Sequence, residues 1–337
     1  MKILHSCYQC PDAVTNFMAL PNYVDAAIKK LGHELISFDD RRFLIPGRIR
    51  DNIPFLHHID LTLINNKLLT HTRRHKPDLC LFTGGQRIFP GTVKKIKSQG
   101  IATVLWTTDV ITSVQPIVSI ARCCDYVVCA GTEAIEQLHN NGVKNVTWLP
   151  FACDTDIHKP VCFDTERKKN YTIDIVFVGS YYPNRADILE ELTCFNLAIW
   201  GPGWKEATAH SPLQRFIKGG ALNPCDWTRI YDSAKIILTI HYQDGKNPCY
   251  QASPKVYEAL ACRGFLISDC QRDVMTLFTS GEHLVCFHDK KELKELIHHY
   301  LAHADEREKI AQKGYAEVLN KHTYEHRINK MLSIIGK

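Results

Sequence analysis

Short apolar runs alternate with stretches of helical periodicity through the first half of the chain. Met1 to Leu4, Glu34 to Phe38, Asp78 to Phe82, Thr103 to Trp106, Asp125 to Cys129 and Val146 to Leu149 read as strands. Between them Tyr23 to Gly32, Ile59 to His75, Val93 to Gln99 and Thr132 to Asn140 carry helical patterns, several closed by glycine. Strands spaced by helices of that length predict a parallel sheet covered on both faces. Residues 151 to 172 lose the pattern and turn polar, with Pro160 and a basic cluster at Arg167 to Lys169. A second cycle then begins. Its strands are Ile173 to Val178, Asn196 to Trp200, Lys235 to His241, Phe265 to Ser268 and Leu284 to Phe287. Its helices are Asn184 to Thr193, Trp227 to Ala234, Lys255 to Cys262, Glu292 to His303, Asp305 to Asn320 and His322 to Ile335. The pattern predicts two α/β domains, over 1–158 and 173–320, a linker over 159–172, and a terminal helix over 321–337 reaching towards the first domain. Two such sheets facing each other make a cleft at the carboxyl ends of their strands, where ligands of open α/β sheets sit.

Composition narrows the partners. With 45% apolar and 23% charged residues among 337, the chain is globular rather than disordered. No run approaches the roughly 20 apolar residues of a membrane span. The first residues, MKILHSCYQCPD, are too short in apolar length for a signal peptide, so a cytoplasmic, reducing location is expected. A net charge of +5 suits an anionic ligand but falls far short of a dedicated nucleic-acid binder. The chain holds 14 cysteines, yet Cys7 and Cys10 form the only CxxC pair and no second pair completes a zinc set. Cys80, Cys129, Cys262 and Cys286 sit in apolar runs as small core residues. His57, His58, His298, His299 and His303 lie in polar stretches without an HExxH arrangement, and the basic run at 73–76 complements a helix end.

Three strand ends hold candidate chemistry. Gly179 and Ser180 come after the strand at 173–178, and Arg185 adds a forked cation suited to phosphate; a plain turn with a solvated arginine fits equally. Gly201 and Gly203, with Pro202 between them, precede Trp204, an arrangement that suits a base edge and a stacking ring or a tight turn with a core tryptophan. Ser253, Lys255 and Glu258 cluster at a helix N-terminus, where free amides and an ammonium favour an anion and a carboxylate can accept two hydroxyls. An N-capped surface helix is the alternative. Neither GxGxxG nor GxxxxGK[ST] is present.

The ordered string VFVGS…NR, IWGPGW, AKIILTIHYQ, SPKVYEALACRGFLISD, FTSGEHLVCFHDKKELKELIHHYL and EREKIAQKGYAEVLNKHTYEHRINKML resembles the C-terminal domain of the CgeB-like glycosyltransferases, relatives of the group 1 (GT4-like) enzymes, over about residues 173–334. KPDLCLFTGG, TVLWTTD, CCDYVVCAG and VTWLPFACDTDIHKP are similar in plan to the first domain. The resemblance implies a GT-B fold, two facing Rossmann-like α/β domains with a cleft between them. It implies a nucleotide-sugar, by family habit a UDP-sugar, in the second domain and an acceptor (glycan, protein or small molecule) in the first. By that analogy Gly179, Ser180 and Arg185 lie at the diphosphate, Lys255 at the phosphates, Gly201 to Trp204 near the base, and Glu258 holds the ribose, with no metal required. The sugar implied is a hexose or an N-acetylhexosamine. One position departs from the family pattern of two glutamates separated by seven residues. Counting back from Glu258 reaches Tyr250, so His241, Gln243 or Asp244 would have to meet the sugar. Asp109 is the first candidate for an acceptor-activating base, with Asp12 or His5 behind it, and Gly84 and Gly85 offer close backbone approach. Two other readings stay open: a sugar-nucleotide epimerase or hydrolase on the same plan, and a nucleotide-sugar-binding protein without transfer.

Overall fold

The computed structural model of the chain describes residues 1–8, 20–42, 45, 46, 49, 53–108, 115–161 and 172–336. Among these the chain divides into two compact units. One gathers Leu20–Pro150 with the first strand and the residues from Arg327 on, and the other is Phe151–His326.

In the first unit the strands are β1 (Lys2–Cys7), β2 (Glu34–Asp39), β3 (Leu79–Thr83), β4 (Ala102–Thr107), β5 (Tyr126–Cys129) and β6 (Val146–Trp148). They form one parallel sheet in the order β2-β1-β3-β4-β5-β6. Its helices are α1 (Leu20–Lys30), α2 (Pro54–His75), α3 (Pro90–Lys97), α4 (Gln115–Ala121) and α5 (Glu133–Asn140). Four successive residues of β3, Leu79 to Phe82, are fully buried, because helices cover both faces. Leu68, Val93, Ile96 and Leu138 from the helices close over Leu4, Phe82 and Leu105 of the sheet. Helix α2 stops where Lys76 turns left-handed (φ 46°) ahead of Pro77, which cannot continue a helix.

The second unit repeats the plan with β7 (Ile173–Val178), β8 (Leu197–Trp200), β9 (Ile217–Gly219), β10 (Ala234–Thr239), β11 (Leu266–Asp269) and β12 (Val285–Phe287). The parallel order β12-β11-β10-β7-β8-β9 reverses direction between β7 and β10. That reversal opens a crevice at the strand ends, since the chain leaves the two strands towards opposite sides. Helices α6 (Pro183–Leu189), α7 (Trp204–Ala207), α8 (Pro224–Asp232), α9 (Pro254–Ala261), α10 (Arg272–Leu277), α11 (Lys290–Ala302), α12 (Ala304–Lys321) and α13 (Tyr324–Ile334) complete the unit and the chain's end. Phe177, Ile199, Leu238 and Ile267 of the sheet meet Leu189, Leu293 and Ile297 of the helices in its core.

The alternating α/β architecture agrees with the sequence pattern. Four elements escape that pattern: β9, α4, α7 and α10. Strand β9 has three residues and pairs only with β8 at the sheet edge, too short to show an alternation. Helix α4 begins with Gln115-Pro116, and a residue before proline is biased away from the helical region. Phe151 to His158, read from sequence with the first domain, group with the second unit, where Cys153 bridges to Thr323. Residues 162–171 of the expected linker lie outside the described residues. Arg327, in α13, donates from Nε to the Pro150 carbonyl at 2.9 Å. No helix among the described residues is long and apolar enough to cross a membrane.

Candidate nucleotide-sugar site

The crevice between β7 and β10 is braced before any ligand is considered. Arg185, on α6, donates from Nε to the Ile240 carbonyl and from Nη1 to the Ser180 carbonyl, both at 2.8 Å. Its guanidinium also lies over the Tyr182 ring, 4.8 Å from the centroid. One cation thus ties the loop after β7 to the loop after β10. Burial draws its pKa down to about 10, which leaves it protonated at neutral pH. Gly179 keeps this approach open, because a Cβ there would stand 3.3 Å from Arg185 Nη1 and 3.0 Å from the Phe177 ring.

His241 is a second brace. Its Nδ1 lies 2.6 Å from Asp269 Oδ1, its backbone N–H donates to the same oxygen at 3.0 Å, and its Nε2 accepts the Ser253 N–H at 3.0 Å. An Nε2 that accepts places the ring proton on Nδ1, directed at Asp269. Both ring nitrogens are therefore engaged within the chain. His241, expected as a catalytic group, instead fixes the entry to α9, with Asn184 donating to its carbonyl at 2.8 Å.

Helix α9 opens with Ser253 as N-cap, its Oγ accepting the Lys255 N–H at 3.4 Å, and with Pro254 in the first turn. Lys255 and Glu258, three residues apart, share one face of it. The Lys255 Nζ lies over the Trp227 ring at 5.4 Å and makes no hydrogen bond or ion pair with any described residue. Burial lowers its pKa, and the Glu258 carboxylate works against that shift. Glu258 is buried, and its Oε2 has no hydrogen-bond partner among the described residues. Burial raises its carboxyl above the ordinary range, opposed by Lys255. A buried acceptor and a half-buried ammonium without hydrogen-bond partners among the described residues are groups that a ligand would complete. Arg185, Ser253, Lys255 and Glu258 are thus gathered by the second unit around the β7–β10 crevice, α6 and α9 supplying the charges and the strand-end loops the backbone.

Beyond β8 the chain makes a turn that only glycine allows. Gly201 has φ 148°, and a Cβ there would fall 1.9 Å from the Gly179 carbonyl oxygen. Gly203 is left-handed at φ 82°. Trp204 then turns inward: it is fully buried, donates from Nε1 to the Gly179 carbonyl at 2.7 Å, and meets Tyr181 edge-on at 5.2 Å. A ring without an exposed face cannot stack on a base. The expectation of a stacking tryptophan is corrected to that of a core residue holding the Gly179 loop. A cavity of about 550 Å³ lies beside this turn, lined by Gly201, Pro202, Gly203, Lys205, Gln214 and Lys218 among others.

The remaining sequence candidates have varied fates. Asp109 and Asp12 lie outside the described residues. His5 is wholly buried, with Nδ1 2.6 Å from Asp25 Oδ1 and Nε2 2.8 Å from Thr83 Oγ1. Burial opposes its charge, but Cys7 and Asp25 outweigh burial and raise it to about 10. Its ring has no exposed surface with which to touch an acceptor. Gly84 and Gly85 are left-handed (φ 85° and 72°), and a Cβ on Gly85 would meet Leu105 at 2.7 Å, so packing and turn geometry alone require glycine there. Asp244 accepts the backbone N–H groups of Lys246 and Asn247, both at 2.8 Å, which hold it down to about 2 and fix a local turn. Gln243 is exposed. The Tyr250 ring lies 5.2 Å from the Arg272 guanidinium. No group of three or more His, Cys, Asp or Glu side chains among the described residues could hold a metal ion.

Sequence reasoning passed over Trp227, Asp269 and His158, which surround Lys255, His241 and Glu258. Asp269 had a signal, as the acid closing the strand FLISD; Trp227 and His158 had none.

With this geometry in place, comparison with known proteins bears most directly on the back half. Residues 185–333 match the glycosyl transferase-like family model. The spore protein CgeB of Bacillus subtilis (strain 168) is 21% identical over 272 residues, 77% of this chain and 83% of that protein. The resemblance read from the motifs of residues 173–334 is thereby supported by an independent match over nearly the same span. Among solved structures, a sucrose-phosphate synthase from Thermosynechococcus elongatus superposes with TM-score 0.70 at 12% identity, covering 99% of this chain and 98% of that one. Anabaena Alr3699/HepE, solved in complex with UDP and glucose, superposes with TM-score 0.63 at 12% identity, covering 99% of each chain. These similarities establish the GT-B class of fold, with its two α/β units.

Proposed function

We propose that the chain is a metal-independent glycosyltransferase that moves a hexose or N-acetylhexosamine from a UDP-sugar to an acceptor hydroxyl, acting in the cytoplasm. The observation that carries this reading is the pair on α9: an ammonium and a buried carboxylate oxygen, neither hydrogen-bonded to a described residue, at the strand-order reversal of a glycosyl transferase-like domain. The fold it shares with Alr3699/HepE, whose structures hold UDP, UDP-glucose and glucose, supports the choice of nucleotide.

In this reading the Lys255 ammonium and the Ser180 amide face the diphosphate at the positive end of α9, while Arg185 holds the loops. The Gly179, Ser253 and Lys255 amides are already donated within the chain, to the Trp200 carbonyl, His241 Nε2 and Ser253 Oγ. Glu258 accepts the ribose hydroxyls, and the base enters the cavity beside Gly201 and Gly203. When the anomeric C–O bond breaks, positive charge grows on the sugar and negative charge on the departing UDP. Fixed amide dipoles and an ammonium stabilise that negative charge without reorganising, which is often the largest electrostatic contribution to catalysis. The acceptor's proton goes to a base from the first unit, for which Asp109 is the proposed group.

UDP and UDP-sugars should raise the melting temperature, since a ligand bound only by the native state at about 100 times its Kd stabilises by about 2.7 kcal/mol. UDP release from UDP-glucose or UDP-N-acetylglucosamine, unchanged by EDTA, completes the test. Failure of every nucleoside diphosphate to shift the melting curve would sink the reading. Saturable UDP protection with no release from any sugar donor would identify a binding protein instead, the outcome to which Tyr250 in the first-glutamate position points.

A further inference from the structure

His158 comes from the segment that precedes the second sheet, yet its ring is wholly buried beside Glu258. The Asp154 N–H donates to its Nδ1 at 2.9 Å, which fixes the ring proton on Nε2. Burial, reinforced by the nearby Lys255 charge, lowers the imidazole to about 3, so the ring is neutral in any ordinary buffer. Its plane stacks on Trp227 at 6.1 Å and 12°, and Lys255 Nζ lies against that same indole. Nε2 stands 4.0 Å from Glu258 Oε1. That is about 1 Å longer than a hydrogen bond, a gap that one side-chain adjustment of Glu258 closes.

We propose that His158 is a positioning residue for recognition of the ribose diol: as the two hydroxyls engage Glu258, the carboxylate settles onto the His158 Nε2–H. This rests on the reading of the crevice as a UDP-sugar site. The chemistry favours a neutral ring for the task. An imidazolium would compensate the carboxylate and weaken its pull on the hydroxyls, whereas a neutral N–H orients one oxygen and leaves the negative charge to the ligand. Packing against Trp227 holds the ring in plane, so Lys255 at the phosphates and Glu258 at the sugar are registered against one rigid indole–imidazole stack.

The test compares UDP with 2′-deoxy-UDP by calorimetry on the full chain. The unaltered protein should prefer UDP about tenfold. His158→Phe keeps an aromatic ring for the stack and removes the N–H. It should reduce the preference to about twofold or less while changing 2′-deoxy-UDP affinity by less than about twofold. His158→Gln, which restores an N–H donor at similar reach, should regain most of the preference. Binding of 2′-deoxy-UDP shows that each variant is folded. A preference retained in His158→Phe, or equal weakening of both nucleotides, would overturn the proposal and leave the donor site intact. Absence of any preference in the unaltered protein would overturn the ribose role of Glu258, and this inference with it.

Discussion

Replacing Lys255 with alanine should weaken UDP binding by about tenfold or more, with little change in the melting temperature of the free protein. Hydrogen bonds to charged groups contribute about 1.5–3 kcal/mol, and each 1.4 kcal/mol is a factor of ten in affinity. The ammonium has no hydrogen-bond or ion-pair partner among the described residues, so removing it breaks no ion pair in the free state. Its desolvation even costs the free protein something, which alanine relieves. Glu258→Ala should weaken UDP to a similar degree, by loss of the acceptor for the ribose hydroxyls. Calorimetry with UDP checks both, and unchanged affinity in the pair of variants rejects the site. Because burial lowers the Lys255 pKa, UDP affinity should begin to fall on the alkaline side below the ordinary lysine range. Lys255→Arg should flatten that fall.

Trp204→Ala should instead act on the fold. Truncating a large buried aromatic costs about 3–5 kcal/mol through lost burial and the cavity left behind. Here the indole also holds the Gly179 carbonyl at 2.7 Å, so the strand-end loop loses its inner support. Urea unfolding should show the full loss, and UDP binding should fall because the loop carrying the Ser180 amide is no longer held in place. A base-stacking tryptophan would behave the other way, with stability kept and affinity lost. A loss of stability under about 1 kcal/mol would contradict the core role assigned to the ring.

The strands, and which polar residues follow their ends, were legible in the sequence for a common reason. A strand such as Ile173 to Val178, running through the middle of a covered sheet, must be continuously apolar, and the residues just beyond its last position emerge at the sheet's edge. Arg185, Lys255 and Glu258 could be singled out on that basis. What the chain did not disclose were engagements between distant residues. His241 is spoken for by Asp269, 28 positions away, and no local pattern announces it. Trp204 looks alike whether its ring turns out to a ligand or in to the core; the φ of 148° at Gly201, set by tertiary approach, decides the matter. His158 lies within the string VTWLPFACDTDIHKP, yet nothing there marked it as a site residue, since a polar residue in a pattern-free segment is ordinarily a solvated one.

The carbonyl oxygens of Ser180 and Ile240 would repel any anion arriving at the mouth of this sheet. A single guanidinium caps both, turning their partial negative charge inward. With both oxygens occupied, the rim presents fewer lone pairs to an arriving anion. Discrimination between phosphate and cation is thus built in ahead of binding, by a side chain that need not contact what it helps to select.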